Sequence, residues 1–453
     1  ADSMQLQKLS ALELTGILGI AYASWRVLVF MAKLVAAARI PSRVYEKLPS
    51  AASDSHSANR TVVELSAPPT ARAILASVEA GHRTIAEVVD EFIARAKACT
   101  AVTNCCVPVE AMTAAAIETS LRLDAEGTTR DELPLRGLPV SIKECYLVHG
   151  TPSTHGLQKY AAKICTDPAR EATLVQILRR LGAVPFCKTN VPQIMYAWEC
   201  SNSVYGTTSH PLHRNFIPGG SSGGEATLIA QGGSVVGLGS DVGGSCRFPA
   251  HMAGCVGLKL TLNRVSMRGK GLDTLYGGGQ QIVASCNGFL SRTVDDMVVV
   301  LEAVLSDDAI VETRRTLDVH QLPLPWNVMA YESVAPLTIG YYDDDGFMEA
   351  SPACRRAVRL SVERLEAAGH TLVPFNPPNV ELAFHIYVAL MSSGADLILD
   401  ELKGEPVAVA MSKMIQSASA PAVVKPILAT LLKGKSPLWA KILPLIGPKT
   451  TTE

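Results

Sequence analysis

The sequence has almost no net charge and no paired cysteine motif. Its 41 Lys and Arg residues balance 42 Asp and Glu residues, which gives a net charge of −1 over 453 residues. Because no excess of positive charge would attract a phosphate backbone, we expect no nucleic-acid partner. The 11 cysteines include no Cys-x-x-Cys pair, and a chain of this length does not depend on a disulfide framework. We therefore expect reduced thiols and a main domain that faces the cytosol.

The N-terminal region lacks an uninterrupted apolar run of about 20 residues, the length that spans a bilayer. Leu14–Trp25 carries no charge, but Arg26 follows before the apolar residues resume. An arginine at the centre of a membrane span costs roughly 2.5–3.5 kcal/mol. The hydrophobic fraction of 48% still favours membrane-facing surface. We predict a membrane-anchor helix, spanning or monotopic, within residues 1–40 and a linker at 41–69; a buried amphipathic helix is the alternative.

Acidic residues are absent from Pro406 to Thr452, where six lysines are interspersed with apolar pairs. Apolar pairs between lysines are typical of helices that lie on an anionic membrane surface. The prolines of this segment would keep such helices short. We predict that residues 405–449 form a membrane-binding helical cap on a main domain that covers 70–453. An ordinary subdomain is the alternative.

Local patterns predict helices that alternate with short strands. Thr84 and Glu87 have the spacing of a capping box, and apolar residues at helical spacing follow them. Residues 174–181 predict a helix that a glycine ends before a strand at 183–186, and the same unit recurs at 358–375. This alternation predicts an α/β fold with helices packed on both faces of one sheet.

Glycine and serine are concentrated in two nearby segments. Gly219–Gly224 reads Gly-Gly-Ser-Ser-Gly-Gly, and Asp241–Arg247 reads Asp-Val-Gly-Gly-Ser-Cys-Arg. Glycine allows the backbone to approach other groups closely, and serine supplies a nucleophile or a proton relay. These segments are therefore the strongest candidates for a reactive site.

Two chemistries fit these segments poorly. A phosphate-binding loop needs Gly-Lys-Ser or Gly-Lys-Thr at its end, and Glu225 lies where an anion would be repelled. A nucleophile elbow centred on Ser222 needs a strand directly before it, but Pro218 precedes the glycines. None of the histidines after Ser222 lies in a context that marks it as a triad member.

A third interpretation accounts for both segments and for their spacing. The stretch from Gly219 to Ala250, with its Asp-x-Gly-x-Ser-x-Arg-x-Pro pattern, resembles the signature of the amidase signature family. Lys143, in Val-Ser-Ile-Lys-Glu, resembles the upstream lysine of that family, and no kinase motif accompanies it. Cys246 stands where the family usually has an aliphatic residue, and it is small and apolar enough to pack there.

Other residues resemble one branch of this family, the fatty-acid amide hydrolases. The matching residues are Met195, Tyr196, Trp198, Cys200, Ser201, Asn202, Tyr205, Gly206, Tyr341, Tyr342 and residues 364–370. The resemblance implies the amidase signature fold, with a large twisted mixed β-sheet covered by helices. It also implies a homodimer and no metal or organic cofactor. Because family members usually continue past the end of this chain, we expect a truncated C-terminal part.

The resemblance implies hydrolysis of carboxylic amides through an acyl-enzyme. Ser245 is expected to attack the amide carbonyl, Ser221 to pass its proton on, and Lys143 to act as the base. For Lys143 to be neutral, its pKa must fall from about 10.4 to near 7, and burial in an apolar strand would achieve this.

The resemblance also implies an oxyanion hole and an acyl pocket. The expected oxyanion donors are backbone N–H groups, those of Val242, Gly243, Gly244 and Ser245. Met195 is expected near the acyl pocket, which Ser221 also borders. Asp241 and Arg247 are expected to hold the loop by hydrogen bonds and not to take part in catalysis.

The expected substrates are long-chain fatty acid amides, which would be cleaved to a fatty acid and an amine or ammonia. Lipid amides partition into bilayers, so the membrane is an expected partner, and we expect an endomembrane location with the catalytic domain facing the cytosol. Two alternatives stay open: a soluble amidase or amidotransferase subunit of the same family, and a truncated, catalytically inactive membrane scaffold.

Overall fold

A computed structural model describes residues 65–108, 110–271, 282–392, 395–409, 411–412 and 425–432. The chain forms two compact units. One, here called the main unit, contains residues 57–412 and 448–453, and the other contains residues 1–56 and 413–447. Of the second unit, the described residues form a single helix, Lys425–Leu432.

Helices and strands alternate along the main unit. Its described α-helices are α1 (Ala71–Glu79), α2 (Ile85–Thr103), α3 (Glu110–Glu126), α4 (Thr173–Arg180), α5 (Gly223–Ala230), α6 (Arg247–Ala253), α7 (Val294–Val304), α8 (Asp307–Thr316), α9 (Val328–Tyr331), α10 (Pro352–Ala367), α11 (Val380–Ser392) and α12 (Ala395–Glu401). Its described strands are β1 (Pro139–Lys143), β2 (Val184–Thr189), β3 (Ser201–Asn202), β4 (Gly206–Thr207), β5 (Val236–Asp241), β6 (Val256–Lys259), β7 (Cys286–Ser291), β8 (Thr338–Tyr341) and β9 (Thr371–Pro374).

The predicted capping box starts α2. The Glu87 N–H donates to the Thr84 hydroxyl at 3.1 Å, and the Thr84 N–H donates to the Glu87 carboxylate at 2.8 Å. The apolar face of α2 is buried, and the Phe92 ring meets the Phe186 ring of β2 edge-on at 6.3 Å between centroids. The predicted helix and strand at 174–186 also form, as α4 and β2.

The main sheet has five strands in the order β2-β1-β5-β7-β6. Strands β2, β1 and β5 are parallel, whereas β7 is antiparallel to both β5 and β6. Every residue of β1, β5 and β7 is buried, so both faces of the sheet are covered. This confirms the predicted mixed α/β fold. Because β1 and β5 are parallel neighbours, their last residues, Lys143 and Asp241, lie at the same edge of the sheet.

The second predicted helix-strand unit is not part of this sheet. Residues 358–375 contain the end of α10 and strand β9, as predicted, but β9 pairs with β8 in a separate two-stranded parallel sheet. The residues of β8 and β9 are exposed or half-buried, unlike those of the main sheet. The expectation that one sheet contains both units is therefore corrected. The local sequence pattern predicts that a strand forms, but the strand with which it pairs depends on residues far away in the sequence.

Both membrane candidates lie mostly outside the described residues. The predicted anchor within 1–40 and the linker up to residue 64 are not described, and only parts of 405–449 are. Within that second segment, the structure describes the helix Lys425–Leu432 (α13), which has Pro426 in its first turn. The predicted helical cap otherwise lies mostly outside the described residues and stays a prediction. In the part of the chain that the structure describes, no helix is both long enough and apolar enough to cross a bilayer.

Candidate active site

Lys143 lies fully buried at the end of β1 and meets two serines. Its Nζ atom is 2.8 Å from Ser221 Oγ, 3.1 Å from Ser240 Oγ and 3.3 Å from the Ser240 carbonyl oxygen. A neutral amine has two hydrogens and one lone pair, so it could donate to the two Ser240 oxygens and accept from the Ser221 hydroxyl. Burial lowers the pKa of Lys143, which favours this neutral form.

The Ser221 hydroxyl is held at the N-terminal side of α5. The Gly220–Ser221 peptide bond is cis, and Ser221 is only 3% exposed. The Ser222 N–H donates to the Ser245 carbonyl oxygen at 3.0 Å, which ties the two glycine-serine segments together. A Cβ at Gly224 would lie 2.4 Å from a backbone nitrogen, so close packing requires glycine there.

The elbow interpretation of Ser222 lacks its structural context. Residues 218–222 form no strand, and the Ser222 side chain is fully buried. A nucleophile elbow requires a strand before the serine and an exposed hydroxyl. Ser245, in contrast, is half-buried on the wall of a cavity.

Asp241 holds the loop that carries Ser245. Its buried carboxylate accepts hydrogen bonds from the N–H groups of Gly244 at 2.8 Å and Cys246 at 3.0 Å. Arg247 adds two guanidinium hydrogen bonds, each of 3.0 Å. Burial alone would raise the pKa of Asp241, but the Arg247 and backbone hydrogen bonds outweigh burial and lower it to about 2. Asp241 and Arg247 thus hold this loop, as expected from the sequence.

The backbone donors of the loop differ from the expected set in one respect. Because the Gly244 N–H donates to Asp241, it is not free for an oxyanion. Within the described residues, the N–H groups of Val242, Gly243 and Ser245 make no hydrogen bond to the protein. Gly244 has a φ of +105°, a conformation that other residues rarely adopt, so glycine is needed there for backbone shape.

Cys246, the departure from the family pattern, fills a tight space below the loop. Its side chain is fully buried, and a Cβ at either Gly239 or Gly288 would lie 2.7 Å from its sulfur atom. Two strand glycines therefore leave room for this side chain. The expectation that cysteine packs here is confirmed.

A cavity of about 790 Å³ opens beside these residues. Its volume is in the range of small-molecule sites. Ser221, Ser240, Val242 and Ser245 line it on the catalytic side. Its apolar wall is formed by Ile194, Met195, Tyr196, Met391, Leu397 and Ile398. The cavity thus joins the two predicted catalytic serines to an apolar surface that includes Met195.

Sequence reasoning missed three residues near this site. Ser240 contacts the Lys143 amine, Glu225 is buried against Ser141, and Tyr387 of α11 reaches the Gly243 backbone. For Ser240, the position directly before Asp241, three residues before the signature glycines, was an available signal. For Glu225 and Tyr387, no local pattern indicated a buried partner or a distant contact.

The chain matches known proteins along most of its length. The family model described as Amidase matches residues 87–441. Fatty-acid amide hydrolase 1 of Sus scrofa is 40% identical over 319 residues, which cover 70% of this chain and 53% of that protein. Vitamin D3 hydroxylase-associated protein of Gallus gallus is 38% identical, with 68% and 64% covered. Amidase 1 of Gibberella moniliformis is 34% identical, with 77% and 66% covered.

A solved structure named as a fatty acid amide hydrolase superposes with a TM-score of 0.71 at 28% identity. The superposition covers 84% of this chain and 68% of that one. The chain spans about half to two thirds of the length of the curated relatives named above. Since the family model matches far more than half of the residues, including both glycine-serine segments, the chain belongs to the amidase signature family.

Proposed function

We propose that this protein hydrolyses carboxylic amides through an acyl-enzyme on Ser245, and that long-chain fatty acid amides are its substrates. One observation carries the proposal. The buried Lys143 amine lies 2.8 Å from the Ser221 hydroxyl, and Ser221 and Ser245 line the same cavity. A serine hydroxyl is a weak nucleophile unless a base activates it, and in this proposal Lys143 is the base and Ser221 the relay.

In the first half of the reaction, the Ser245 hydroxyl gives its proton to Ser221 as its oxygen attacks the amide carbon. Ser221 passes its own proton to the Lys143 amine. The carbonyl oxygen becomes an oxyanion, and the free N–H groups of Val242, Gly243 and Ser245 stabilise it. Removal of one donor of this kind typically costs 10²–10³ in rate.

In the second half, the proton held by Lys143 returns through Ser221 to the leaving nitrogen, and the carbon–nitrogen bond breaks. An amine is a poor leaving group without this proton, so amides depend on the relay as an acid. Water then attacks the acyl-enzyme with the same relay as base. The products are a carboxylic acid and an amine or ammonia.

Two observations support a long acyl chain. The Sus scrofa relative is named as a fatty-acid amide hydrolase, and the cavity wall is apolar along Met195, Met391 and Leu397. A relative from Emericella nidulans, 32% identical, is named as an acetamidase, so a short-chain amidase is the second candidate. A series of primary amides from two to eighteen carbons separates them. We expect kcat/KM to rise with chain length, whereas a maximum at two carbons would favour the second candidate.

We further propose membrane association with the catalytic domain facing the cytosol, on the basis of the apolar segment in 1–40 and the basic apolar segment in 405–449. Fractionation tests this proposal. We expect carbonate and salt washes to leave the full chain with the membranes and detergent to release it. Release by salt alone would favour the soluble amidase.

The test of the nucleophile is covalent labelling with a fluorophosphonate, followed by peptide mass mapping. We expect one adduct on Ser245 and none in a Ser245→Ala variant, because only an activated serine reacts at an appreciable rate. An adduct on Ser222 would support an elbow-type hydrolase. No adduct on the folded protein would support the inactive scaffold.

A further inference from the structure

Tyr387 of α11 brings its hydroxyl to the backbone of the Ser245 loop. A Cβ at Gly243 would lie 2.1 Å from Tyr387 Oη and 3.4 Å from its Cζ. Because a carbon–carbon bond is about 1.5 Å long, the hydroxyl oxygen lies within about 3.6 Å of Gly243 Cα. Only glycine at position 243 permits this approach.

The Tyr387 hydroxyl has no hydrogen-bond partner among the residues that the structure describes. Tyrosine hydroxyls that are partly buried usually find one. Tyr196, next to the same helix, does so, since its hydroxyl donates to the Met391 carbonyl at 3.1 Å. Tyr387 is half-buried, and its Oη atom is not among the fully enclosed polar atoms that lack a partner.

Tyr387 lies on the same helix as a residue of the cavity wall. Met391 is one helical turn further on, on the same face, and lines the cavity. Tyr196, which Met391 holds, lines it as well. The Tyr387 hydroxyl therefore lies against the loop that carries Ser245, on a helix that also supplies a residue of the cavity wall.

The surroundings keep this hydroxyl protonated. Burial, and after it the carboxylate of Asp241, raise the pKa of Tyr387, although Arg247 acts in the opposite direction. At neutral pH the group is a phenol that is able to donate a hydrogen bond. The Gly244 N–H, in contrast, is already committed to Asp241.

We propose that the Tyr387 hydroxyl is a further catalytic residue, which donates a hydrogen bond to the substrate carbonyl oxygen as negative charge develops there. It acts beside the free N–H groups of Val242, Gly243 and Ser245. The inference rests on the proposed amide hydrolysis. It assigns to a side chain of α11 a role that the backbone of the signature loop would otherwise fill alone.

Tyr387→Phe tests the inference with little structural disturbance, because the ring stays and no hydrogen bond between described residues is lost. We expect an unchanged Tm and a kcat roughly 10–100-fold lower for a long-chain amide, with KM changed by less than about threefold. The rate of fluorophosphonate labelling at Ser245 should fall in parallel, since the phosphonyl oxygen occupies the place of the oxyanion. Tyr160→Phe is the matched control, because its hydroxyl donates to Glu401 at 2.9 Å away from the cavity, and we expect wild-type kcat.

A second experiment tests the contact itself. Gly243→Ala places a methyl group against Tyr387 Oη, whereas in Tyr387→Phe the nearest ring atom is 3.4 Å away. We therefore expect Gly243→Ala to lower kcat strongly in the wild-type background and much less in the Tyr387→Phe background. Strictly additive losses would contradict the contact.

The outcomes separate this inference from the proposed function. Wild-type kcat and labelling rate in Tyr387→Phe, with an active wild type, would overturn the role of Tyr387 and leave amide hydrolysis in place. Absence of both turnover and labelling in the wild type would overturn the proposed function itself. A KM increase at unchanged kcat would mean that Tyr387 binds the substrate without stabilising the transition state, and that also contradicts the proposal.

Discussion

Replacement of Lys143 by Met is expected to lower kcat/KM for a long-chain amide by roughly 10²–10⁴-fold, and that for the matching methyl ester much less. Amide cleavage needs a proton on the leaving nitrogen, and Lys143 is the group that would store it through Ser221. The alkoxide of an ester is a better leaving group and depends less on protonation by an acid. The amide-to-ester ratio therefore reports the acid step, separately from activation of Ser245.

The choice of methionine isolates the amine. Lys143 is fully buried, so alanine would leave a cavity in addition to removing the base. Lys188→Met is a matched control, because Lys188 is also fully buried and donates to the Pro152 carbonyl at 2.6 Å and to Ser153 Oγ at 3.2 Å. We expect it to lower stability and to leave the amide-to-ester ratio unchanged. Equal losses on both substrates in Lys143→Met would count against the relay.

The pH profile gives an independent readout of the same group. Burial lowers the pKa of Lys143, so the neutral amine becomes available at a lower pH than for an ordinary lysine. Wild-type amide hydrolysis should rise with pH while Lys143 loses its proton and then level off. In Lys143→Met this rise should disappear from the residual activity. A rise that persists in the variant would assign it to another group.

Much of the candidate site could be predicted because its parts lie close together in the sequence. The two glycine-serine segments are separated by fewer than about twenty residues, and the spacing within each reflects backbone demands such as the positive φ of Gly244. Lys143 lies outside these segments. It ends β1, which pairs in parallel with β5, the strand that leads into the second segment, and its amine also contacts Ser221 of the first segment. The strong local patterns of α2 and β2 were predictable for the same reason.

Contacts between distant parts of the chain could not be predicted in this way. Tyr387 approaches Gly243 from a helix more than a hundred residues later, and nothing in the sequence around it distinguishes it from a tyrosine that only packs. The pairing of β9 with β8, and not with the main sheet, depends on surfaces that no local period encodes. The hydrogen bond from the Gly244 N–H to Asp241 is local, but it depends on a loop conformation that the sequence pattern does not specify.

Glu225 is the residue whose role the sequence concealed most completely. In the sequence, its negative charge served only as an argument against a phosphate-binding loop. In the fold it is fully buried in α5, and its carboxyl oxygens contact the hydroxyls of Ser141 and Thr189. Burial raises the pKa of Glu225 to about 7, even though these hydrogen bonds and Lys143 act to lower it. This acid therefore keeps its proton in the folded protein below about pH 7, where an ordinary glutamate is ionised.

The raised pKa of Glu225 makes the stability of the folded protein depend on pH. Between about pH 4.5 and 7, the folded chain holds a proton that the unfolded chain has lost, so stability falls as pH rises through this range. The loss is complete above about pH 7, and each pKa unit corresponds to about 1.4 kcal/mol, which gives a total on the order of 3 kcal/mol. Asp241 acts at lower pH and with the opposite sign, because its pKa is lowered to about 2.

Glu225→Gln should remove the Glu225 contribution. A glutamine amide donates through nitrogen and accepts through oxygen, as the protonated acid does. The Ser141 hydroxyl can still donate a hydrogen bond, because Ser234 Oγ lies 2.9 Å away. We expect the variant to match the wild type near pH 5 and to exceed its free energy of unfolding by about 2–3 kcal/mol near pH 8. Urea denaturation across this range measures the difference directly.

The exposed Glu118 of α3 supplies the control for this experiment. Glu118→Gln removes the same charge from the surface, so any effect of net charge on the pH dependence appears in both variants and cancels in the comparison. The difference curve between Glu225→Gln and Glu118→Gln should therefore rise between pH 5 and 7 and be flat above. A flat curve over the whole range would show that Glu225 is ionised in the folded state. An ionised Glu225 would then place a negative charge against Ser141, two residues before Lys143. Such a charge would oppose the neutral form of Lys143 that the proposed mechanism requires.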